Sequence, residues 1–170
     1  MKSRFYFMVL LLLIPFQASL LNPLSLGGIK PDLALALLYI VGLLTSPAEA
    51  TIAGIGIGLL QDIGSASFIG VNGLTRGLVG LAAGLLGKQV LDVRSPTNSI
   101  FIALFSLLEG ILVTLFVQVY YGSVPFFSLL TNRLLPQAIY TGLLGFALLR
   151  LINLKNVIAM VRRETVQKEF

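Results

Sequence analysis

The stretch Ser99–Tyr121, SIFIALFSLLEGILVTLFVQVYY, contains one charged residue, Glu109. A helix needs about 20 consecutive, mostly apolar residues to cross a hydrocarbon layer about 30 Å thick. This stretch meets both conditions, so it predicts a membrane-spanning helix. The polar segment 88–98 before it and the segment 122–133 after it, which contains Gly122, Pro125 and Asn132, are predicted to be loops.

The composition of the whole chain agrees with a membrane protein. Of its 170 residues, 56% are hydrophobic and 11% are charged, whereas soluble domains carry about 25% charged residues. The chain contains no Cys and no His, which excludes disulfides, thiol nucleophiles, Cys/His metal sites and Ser–His–Asp catalysis. We therefore expect an all-α integral membrane protein with no metal site and no cofactor.

Apolar runs on either side of this stretch predict about six short transmembrane helices in one transmembrane domain, residues 1–154. Their expected bounds are 5–21, 33–46, 50–62, 71–87, 99–121 and 134–154. Pro31 is expected in the first turn of the second helix. The first run also has the pattern of a signal peptide with a weak cleavage region at Gln17–Ser19. The basic amphipathic tail, 155–170, is predicted to lie on anionic cytoplasmic lipid or to bind a cytosolic partner.

The distribution of basic residues predicts the topology. With six spans and a cytoplasmic N-terminus, nine basic residues lie inside and Lys30 and Arg133 lie outside. The nine are Lys2, Arg4, Lys88, Arg94, Arg150, Lys155, Arg162, Arg163 and Lys168. Five spans would place the basic tail outside, and four spans with a re-entrant hairpin remain the alternative. The net charge of +5 thus reflects topology, and no nucleic-acid partner is expected.

Small residues recur at four-residue spacing in the third and fourth predicted spans, where they allow helix backbones to approach closely. They are Ala50, Gly54 and Gly58 in the third span, and Gly73, Gly77, Gly80 and Gly84 in the fourth. Two interpretations remain open. The stripes pack against each other within the chain, or they bind the helix of a partner or of a second copy.

Asp62, Arg76 and Glu109 are the charged residues expected within or near the hydrocarbon layer. Each charge costs about 3 kcal/mol at the bilayer centre, so each needs a partner or water. Because Asp62 ends the third span and Arg76 begins the fourth, we hypothesise that they pair, either as a clamp or as part of a transport or proton site. An enzyme would require Asp62 and Glu109 to act as an acid–base couple. They lie on different spans with no nucleophile or metal partner near them, so no enzymatic activity is expected.

Two stretches resemble the bacterial rod shape-determining protein MreD family. Lys30-Pro31-Asp32-Leu33 opens the second span, and Gly58-Leu59-Leu60-Gln61-Asp62 closes the third, followed by Gly70-Val71-Asn72-Gly73-Leu74. The positions that match recurrent family positions are Pro31, Asp32, Gly58, Asp62, Gly70, Asn72 and Gly73. The family often has a Ser-Gly step soon after the aspartate, where this chain has Ile63-Gly64-Ser65-Ala66-Ser67.

The resemblance implies a non-enzymatic membrane scaffold of the cell-wall elongation complex, located in the bacterial cytoplasmic (inner) membrane with both termini in the cytoplasm. It implies binding to MreC, in a groove formed by the second to fourth spans. It also implies association with MreB, with RodA and with RodA's transpeptidase partner in peptidoglycan synthesis, and it leaves self-association open.

Six short, glycine-rich spans also resemble the substrate-binding subunit of energy-coupling-factor vitamin transporters, a fold that MreD is expected to share. The alternative function is therefore the substrate-binding membrane subunit of a small-solute transporter. Such a subunit requires a polar pocket facing outward. The candidate residues for it in the outward loops are Asn22, Ser25, Lys30, Asp32, Asn132 and Arg133.

Overall fold

The computed structural model describes residues 25, 27–65, 70–89, 95–122 and 125–152. The predicted first span, 5–21, the region Gln17–Ser19 and the tail, 155–170, lie outside the described residues. The described part is all-helical and contains no β-strand. This confirms the predicted all-α class for that part of the chain.

The helices follow the predicted order. They are α1 (Leu33–Leu44), α2 (Pro47–Ser65), α3 (Val71–Gln89), α4 (Thr97–Tyr121), α5 (Phe126–Leu129) and α6 (Leu135–Ile152), with a π-helical turn, Leu130–Leu134, that joins α5 to α6. Two expectations were wrong. Pro31 lies just before α1, because Asp32 is the N-cap residue, and the predicted loop 122–133 is helical from Phe126 onward.

Pro136 explains why the last helix contains a π-helical turn. Proline has no backbone N–H, and its ring collides with the carbonyl four residues earlier in a regular α-helix. Pro136 is the second residue of α6, and the turn Leu130–Leu134 lies directly before it. The wider turn accommodates the ring, so helix α5 continues into α6 and no loop forms.

Helix α1 lies at the centre of the described bundle. Leu35, Leu38 and Tyr39 are fully buried, and the helix packs against α2, α3, α4 and α6. Its 12 residues span about 18 Å at 1.5 Å per residue. Helix α1 is therefore too short to cross a hydrocarbon layer of about 30 Å without additional residues.

Two antiparallel pairs of helices surround α1. Helices α2 and α3 form the α2–α3 hairpin, the tightest helix pair in the described part, and α4 packs against α6. The second pair is also closely packed at glycines, since Gly142 lies against Ala103 and Gly145 against Ile102. The hairpin and the α4–α6 pair position the charged side chains described below.

In the part of the chain that the structure describes, two helices are long and apolar enough to cross a membrane, Thr97–Tyr120 and Phe126–Leu151. The first helix corresponds to Ser99–Tyr121, which the sequence predicts to be a membrane-spanning helix. Large apolar side chains remain exposed along both, including Leu104 and Leu108 on α4 and Leu143 on α6. These faces are suited to contact with lipid.

Candidate functional site

Asp32 connects the start of α1 to two other helices. Its carboxylate accepts a hydrogen bond from the backbone N–H of Leu35, 2.8 Å away, which caps the N-terminus of α1. Its own N–H donates to Oγ1 of Thr141 on α6, at 3.0 Å. The second carboxylate oxygen, Oδ2, bonds Nη2 of Arg76 on α3.

Arg76 lies between two carboxylates inside the bundle. Besides its hydrogen bond to Asp32, its Nε lies 2.9 Å from Oε1 of Glu109 on α4. That contact is an ion pair, since the two atoms are close but their angles are not those of a hydrogen bond. Nη1 of Arg76 is also buried without a partner. Asp32, Arg76 and Glu109 form the ion-pair cluster.

Burial makes the ion-pair cluster energetically important. The side chains of Arg76 and Glu109 are 3% and 8% exposed, and that of Asp32 is 16% exposed. Removing charges from water costs several kcal/mol per ion, which mutual attraction offsets only if the partners stay together. The cluster therefore holds α1, α3 and α4 in one arrangement, and Thr141 extends it to α6.

The ion-pair cluster lies at the level of the middle of α4, where Glu109 is located. The middle of α1 contacts the first turn of α4, because Tyr39 donates a hydrogen bond to Oδ1 of Asn98 at 3.1 Å. Helix α1 thus runs alongside the first half of α4 and begins beside the buried charges. Short helices that begin inside the bundle occur in transporters, where their N-termini face polar groups.

Asp62 has a different role, which is to close the α2–α3 hairpin. Its carboxylate accepts hydrogen bonds from the backbone N–H of Gly70 (2.7 Å), Asn72 (3.3 Å) and Gly73 (3.4 Å), and from Nδ2 of Asn72 (2.7 Å). These N–H groups belong to the first turn of α3 and the residue before it, which attract negative charge. Gly70 has a φ of +104°, a conformation that residues with a Cβ rarely adopt.

The hypothesis that Asp62 pairs with Arg76 is therefore wrong. Both side chains are buried, at 0% and 3% exposure, but Asp62 binds the start of α3 and Arg76 pairs with Asp32 and Glu109. The physical reason is that the first backbone N–H groups of a helix have no partner within it. The carboxylate of Asp62, in the last turn of α2, accepts hydrogen bonds from two of them, those of Asn72 and Gly73.

Comparisons with protein-family models, curated proteins and solved structures find no match.

The two stripes of small residues face each other within the α2–α3 hairpin. A Cβ on Gly54 or Gly58 would collide with the backbone of α3 at Arg76 or at Asn72 and Gly73, and one on Gly80 would collide with the backbone of α2 at Ala50. All seven predicted residues are buried: Ala50, Gly54, Gly58, Gly73, Gly77, Gly80 and Gly84. Of the two interpretations, the structure places these residues in packing within the chain.

Three buried residues of the site are not identified from the sequence, namely Tyr39, Asn98 and Thr141. Asp32 is both a position that matches the family and a candidate for the outward polar pocket, and an acidic residue directly before an apolar run is a recognisable helix start. Nothing in the sequence indicates that Thr141, Tyr39 or Asn98 forms contacts between distant helices. Their partners lie 109 and 59 residues away.

The ion-pair cluster offers only carboxylate and guanidinium groups for chemistry. Among the described residues, no group of three or more His, Cys, Asp or Glu side chains could hold a metal ion. Two carboxylates share one guanidinium, so the three ionised side chains sum to one negative charge.

Proposed function

We propose that this chain is a non-enzymatic membrane scaffold of the bacterial cell-wall elongation complex, belonging to the MreD family, and that it binds MreC. In this proposal it helps to position the peptidoglycan synthesis machinery, which includes RodA and its transpeptidase partner, with MreB on the cytoplasmic side. The proposal rests on the resemblance together with the positions of the residues that carry it.

The observation that supports this proposal most is the concentration of those residues at helix junctions. Asp32 caps α1 and binds Arg76, and Asp62 and Asn72 close the α2–α3 hairpin. Gly58 lies against the backbone at Asn72. Each of these residues fixes the relative position of helices, and a rigid arrangement of helices is what a scaffold requires.

The proposal includes six membrane spans, one of which is α1 together with the residues that flank it, as well as an inner-membrane location and cytoplasmic N- and C-termini. Its support is the distribution of Lys and Arg in the sequence, which places nine of these residues inside and two outside. Two apolar helices of spanning length, Thr97–Tyr120 and Phe126–Leu151, are consistent with it. The fold shared with energy-coupling-factor substrate-binding subunits is also part of the proposal.

The surface proposed for MreC is an exposed leucine stripe on α3. The small-residue face is buried within the chain, so a partner helix has to bind elsewhere. Leu74, Leu78, Leu81 and Leu85 are each at least 38% exposed. Their spacing of four, three and four residues is that of the a and d positions of a coiled coil, where two helices pack side by side.

The test is co-purification followed by crosslinking, and the absence of cysteine from the chain makes single-cysteine variants straightforward. The full chain is co-expressed with MreC and purified in detergent. Leu78→Cys is expected to crosslink to the MreC transmembrane segment. Leu104→Cys, equally exposed on α4 at 54% against 51%, and Ala83→Cys, fully buried, are expected not to do so.

The two parts of this proposal can fail separately. A chain that does not co-purify with MreC contradicts the proposed function. A chain that co-purifies but crosslinks through Leu104→Cys rather than Leu78→Cys contradicts the α3 surface and leaves MreC binding intact. Crosslinks between two copies of this chain would support self-association instead.

A second candidate, the substrate-binding subunit of a small-solute transporter, is favoured by the ion-pair cluster. Charged side chains buried inside a membrane bundle commonly mark the paths of ions or substrates, and α1 begins beside them. A vitamin or other small solute that co-purifies with the chain would favour this candidate. Binding to MreC without a solute would favour the scaffold.

A further inference from the structure

The connection between α4 and α5 is apolar, although it joins two long helical segments. Helix α4 ends at Tyr121 and α5 begins at Phe126, and residues 110–132, on both sides of this connection, carry no charge. The segment before α4 differs, because it contains Lys88, Asp92 and Arg94. Connections between helices in water are normally polar. The composition of the α4–α5 connection therefore indicates a place that water does not fully surround.

Three large side chains at this end of the bundle, Val119, Tyr120 and Phe127, are grouped here as the apolar corner. Val119 is 81% exposed, Phe127 is 80% exposed and Tyr120 is 64% exposed. Contact of large apolar surfaces with water is unfavourable. Tyrosine is in addition enriched at the boundary between the hydrocarbon layer and water, where its ring and its hydroxyl face different environments.

Two exposed arginines indicate the level of the hydrocarbon layer. Arg133 lies in the π-helical turn and Arg150 in the last turn of α6, both are exposed, and residues 134–149 between them are uncharged. The two arginines are about 26 Å apart along the helix at 1.5 Å per residue. Arginine side chains near the ends of a membrane helix extend toward the interface. Together with this extension, the spacing matches a hydrocarbon layer of about 30 Å.

The apolar corner lies on the outer side of Arg133. Phe127 precedes Arg133 by about 9 Å along the helix at 1.5 Å per residue. On the neighbouring helix, Gly110 lies against Leu134, so the rest of α4 extends past this level toward the same end. The headgroup regions widen the bilayer from about 30 Å to about 40 to 45 Å. The apolar corner is therefore at the level of the headgroups, and the Arg133 side chain extends toward them from below.

The side chains at this level fit a phospholipid. A guanidinium group binds a phosphate through two parallel hydrogen bonds, and Arg133 supplies one. Ser128, Thr131 and Asn132 are also exposed in these turns and offer further hydrogen-bonding groups. A phospholipid has the same combination, since its phosphate lies next to apolar chains.

We infer that, given the membrane location included in the proposed function, the apolar corner and Arg133 form an interfacial anchor. The rings of Tyr120 and Phe127 lie among phospholipid headgroups, and the guanidinium of Arg133 binds a lipid phosphate. This anchor holds one end of the α4–α6 pair at a fixed depth in the bilayer, whether or not MreC is bound.

The test is tryptophan fluorescence, because the chain contains no Trp and each variant then has a single emitter. The full chain is reconstituted in vesicles of phosphatidylcholine and phosphatidylglycerol. The acyl chains carry bromine, a quencher, either near the headgroup or near the methyl end. Phe127→Trp is expected to be quenched more by bromine near the headgroup than by bromine near the methyl end, and only weakly by iodide in water.

Leu104→Trp is the matched control. Leu104 is 54% exposed on α4, and it follows Ala103, which lies against Gly142, about midway between the two arginines. The opposite order of quenching is expected there, with the methyl-end bromine stronger. Val119→Trp, on the α4 side of the apolar corner, provides a second measurement if Phe127→Trp does not fold.

The other outcomes contradict the anchor in different ways. If iodide quenches Phe127→Trp more than either lipid does, the corner is in water, and if the methyl-end bromine is stronger, the corner is in the hydrocarbon layer. If none of the three quenches it while Leu104→Trp is quenched by lipid, a second copy or another chain covers the corner. If lipid quenches neither variant, the membrane location is wrong as well.

The phosphate contact has its own test in the Phe127→Trp background. Arg133→Met is expected to lower the ratio of headgroup-level to methyl-end quenching, because the corner then sinks deeper into the bilayer. Arg133→Lys keeps the positive charge and is expected to keep the ratio. An unchanged ratio in Arg133→Met would overturn the assignment of Arg133 to a lipid phosphate.

Discussion

Nδ2 of Asn72 donates a hydrogen bond to Oδ1 of Asp62, with 2.7 Å between the two atoms. The bond joins the last turns of α2 to the first turn of α3, and Asp62 is fully buried. The same carboxylate accepts hydrogen bonds from backbone N–H groups at the start of α3. Hairpin closure therefore depends on a capped helix end and not on an ion pair.

Double-mutant cycles are expected to show whether Asp62 closes the hairpin by capping α3 or by an ion pair with Arg76. Asp62→Ala leaves buried N–H groups without an acceptor, which costs about 1 to 3 kcal/mol of unfolding free energy. Combined with Asn72→Ala, the loss is expected to be clearly less than the sum of the single losses, because the two side chains are hydrogen-bonded. Denaturation of the purified variants in detergent measures this.

The matched control is the cycle of Asp62→Ala with Arg76→Ala. These residues share no described contact, so their losses are expected to add within about 0.5 kcal/mol. Strong coupling in this second cycle, together with additivity in the first, would restore the ion-pair hypothesis.

Close packing of the α2–α3 hairpin gives a second prediction. Gly58→Ala places a Cβ against the backbone of Asn72 and Gly73, and backbone atoms cannot move aside as a flexible side chain can. Overpacking of this kind typically costs about 1 to 3 kcal/mol, so the Tm is expected to fall. Thermal unfolding followed by circular dichroism measures the change.

Gly64→Ala is the control for that substitution. It also lies in α2, but a Cβ there has no atom within 4 Å. Alanine favours the helix by about 1 kcal/mol relative to glycine, so this variant is expected to be as stable as the wild-type chain or more so. Equal losses at both positions would contradict close packing at Gly58.

The helical architecture and the small-residue stripes could be predicted from the sequence because both depend on local pattern. Hydrophobic runs give helices at nearly the observed bounds, and a four-residue spacing places Gly54 and Gly58 on one face. The partners of Arg76 could not be predicted in this way. Asp32 and Glu109 lie 44 residues before it and 33 residues after it, and only the tertiary arrangement brings them together. Asp62 is nearer in sequence but is bound by the start of α3.

Removal of the charge at Arg76 gives the third prediction. Arg76→Met leaves Asp32 and Glu109 buried together without a positive partner, which is expected to cost about 3 to 5 kcal/mol. The variant Asp32→Asn/Arg76→Met/Glu109→Gln removes all three charges and is expected to recover much of that loss, because neutral replacements of buried ion pairs are often tolerated. The Tm in detergent is the measurement.

Arg133→Met is the matched control for Arg76→Met. Arg133 is exposed in the π-helical turn, and surface substitutions of this kind usually change stability by no more than about 0.5 kcal/mol. If Arg76→Met proved as stable as Arg133→Met, the ion-pair cluster would have no structural role.

Thr141 gives the last prediction, because it is the link from α6 to the start of α1. Its Oγ1 accepts a hydrogen bond from the backbone N–H of Asp32 at 3.0 Å and donates one to the carbonyl of Gln137 at 2.8 Å. Thr141→Val keeps the shape of the side chain but leaves the Asp32 N–H without this acceptor. The expected cost is about 1 to 3 kcal/mol.

Thr131→Val distinguishes this interhelical bond from the bond within the helix. Thr131 also donates to the carbonyl four residues earlier, that of Phe127, at 3.0 Å, but it is exposed and receives no hydrogen bond from α1. Its substitution is expected to change stability by about 0.5 kcal/mol or less. Because the two variants lose the same bond within a helix, the difference in their unfolding free energies isolates the contact between Thr141 and Asp32. A difference near zero would mean that this contact does not hold α6 against α1.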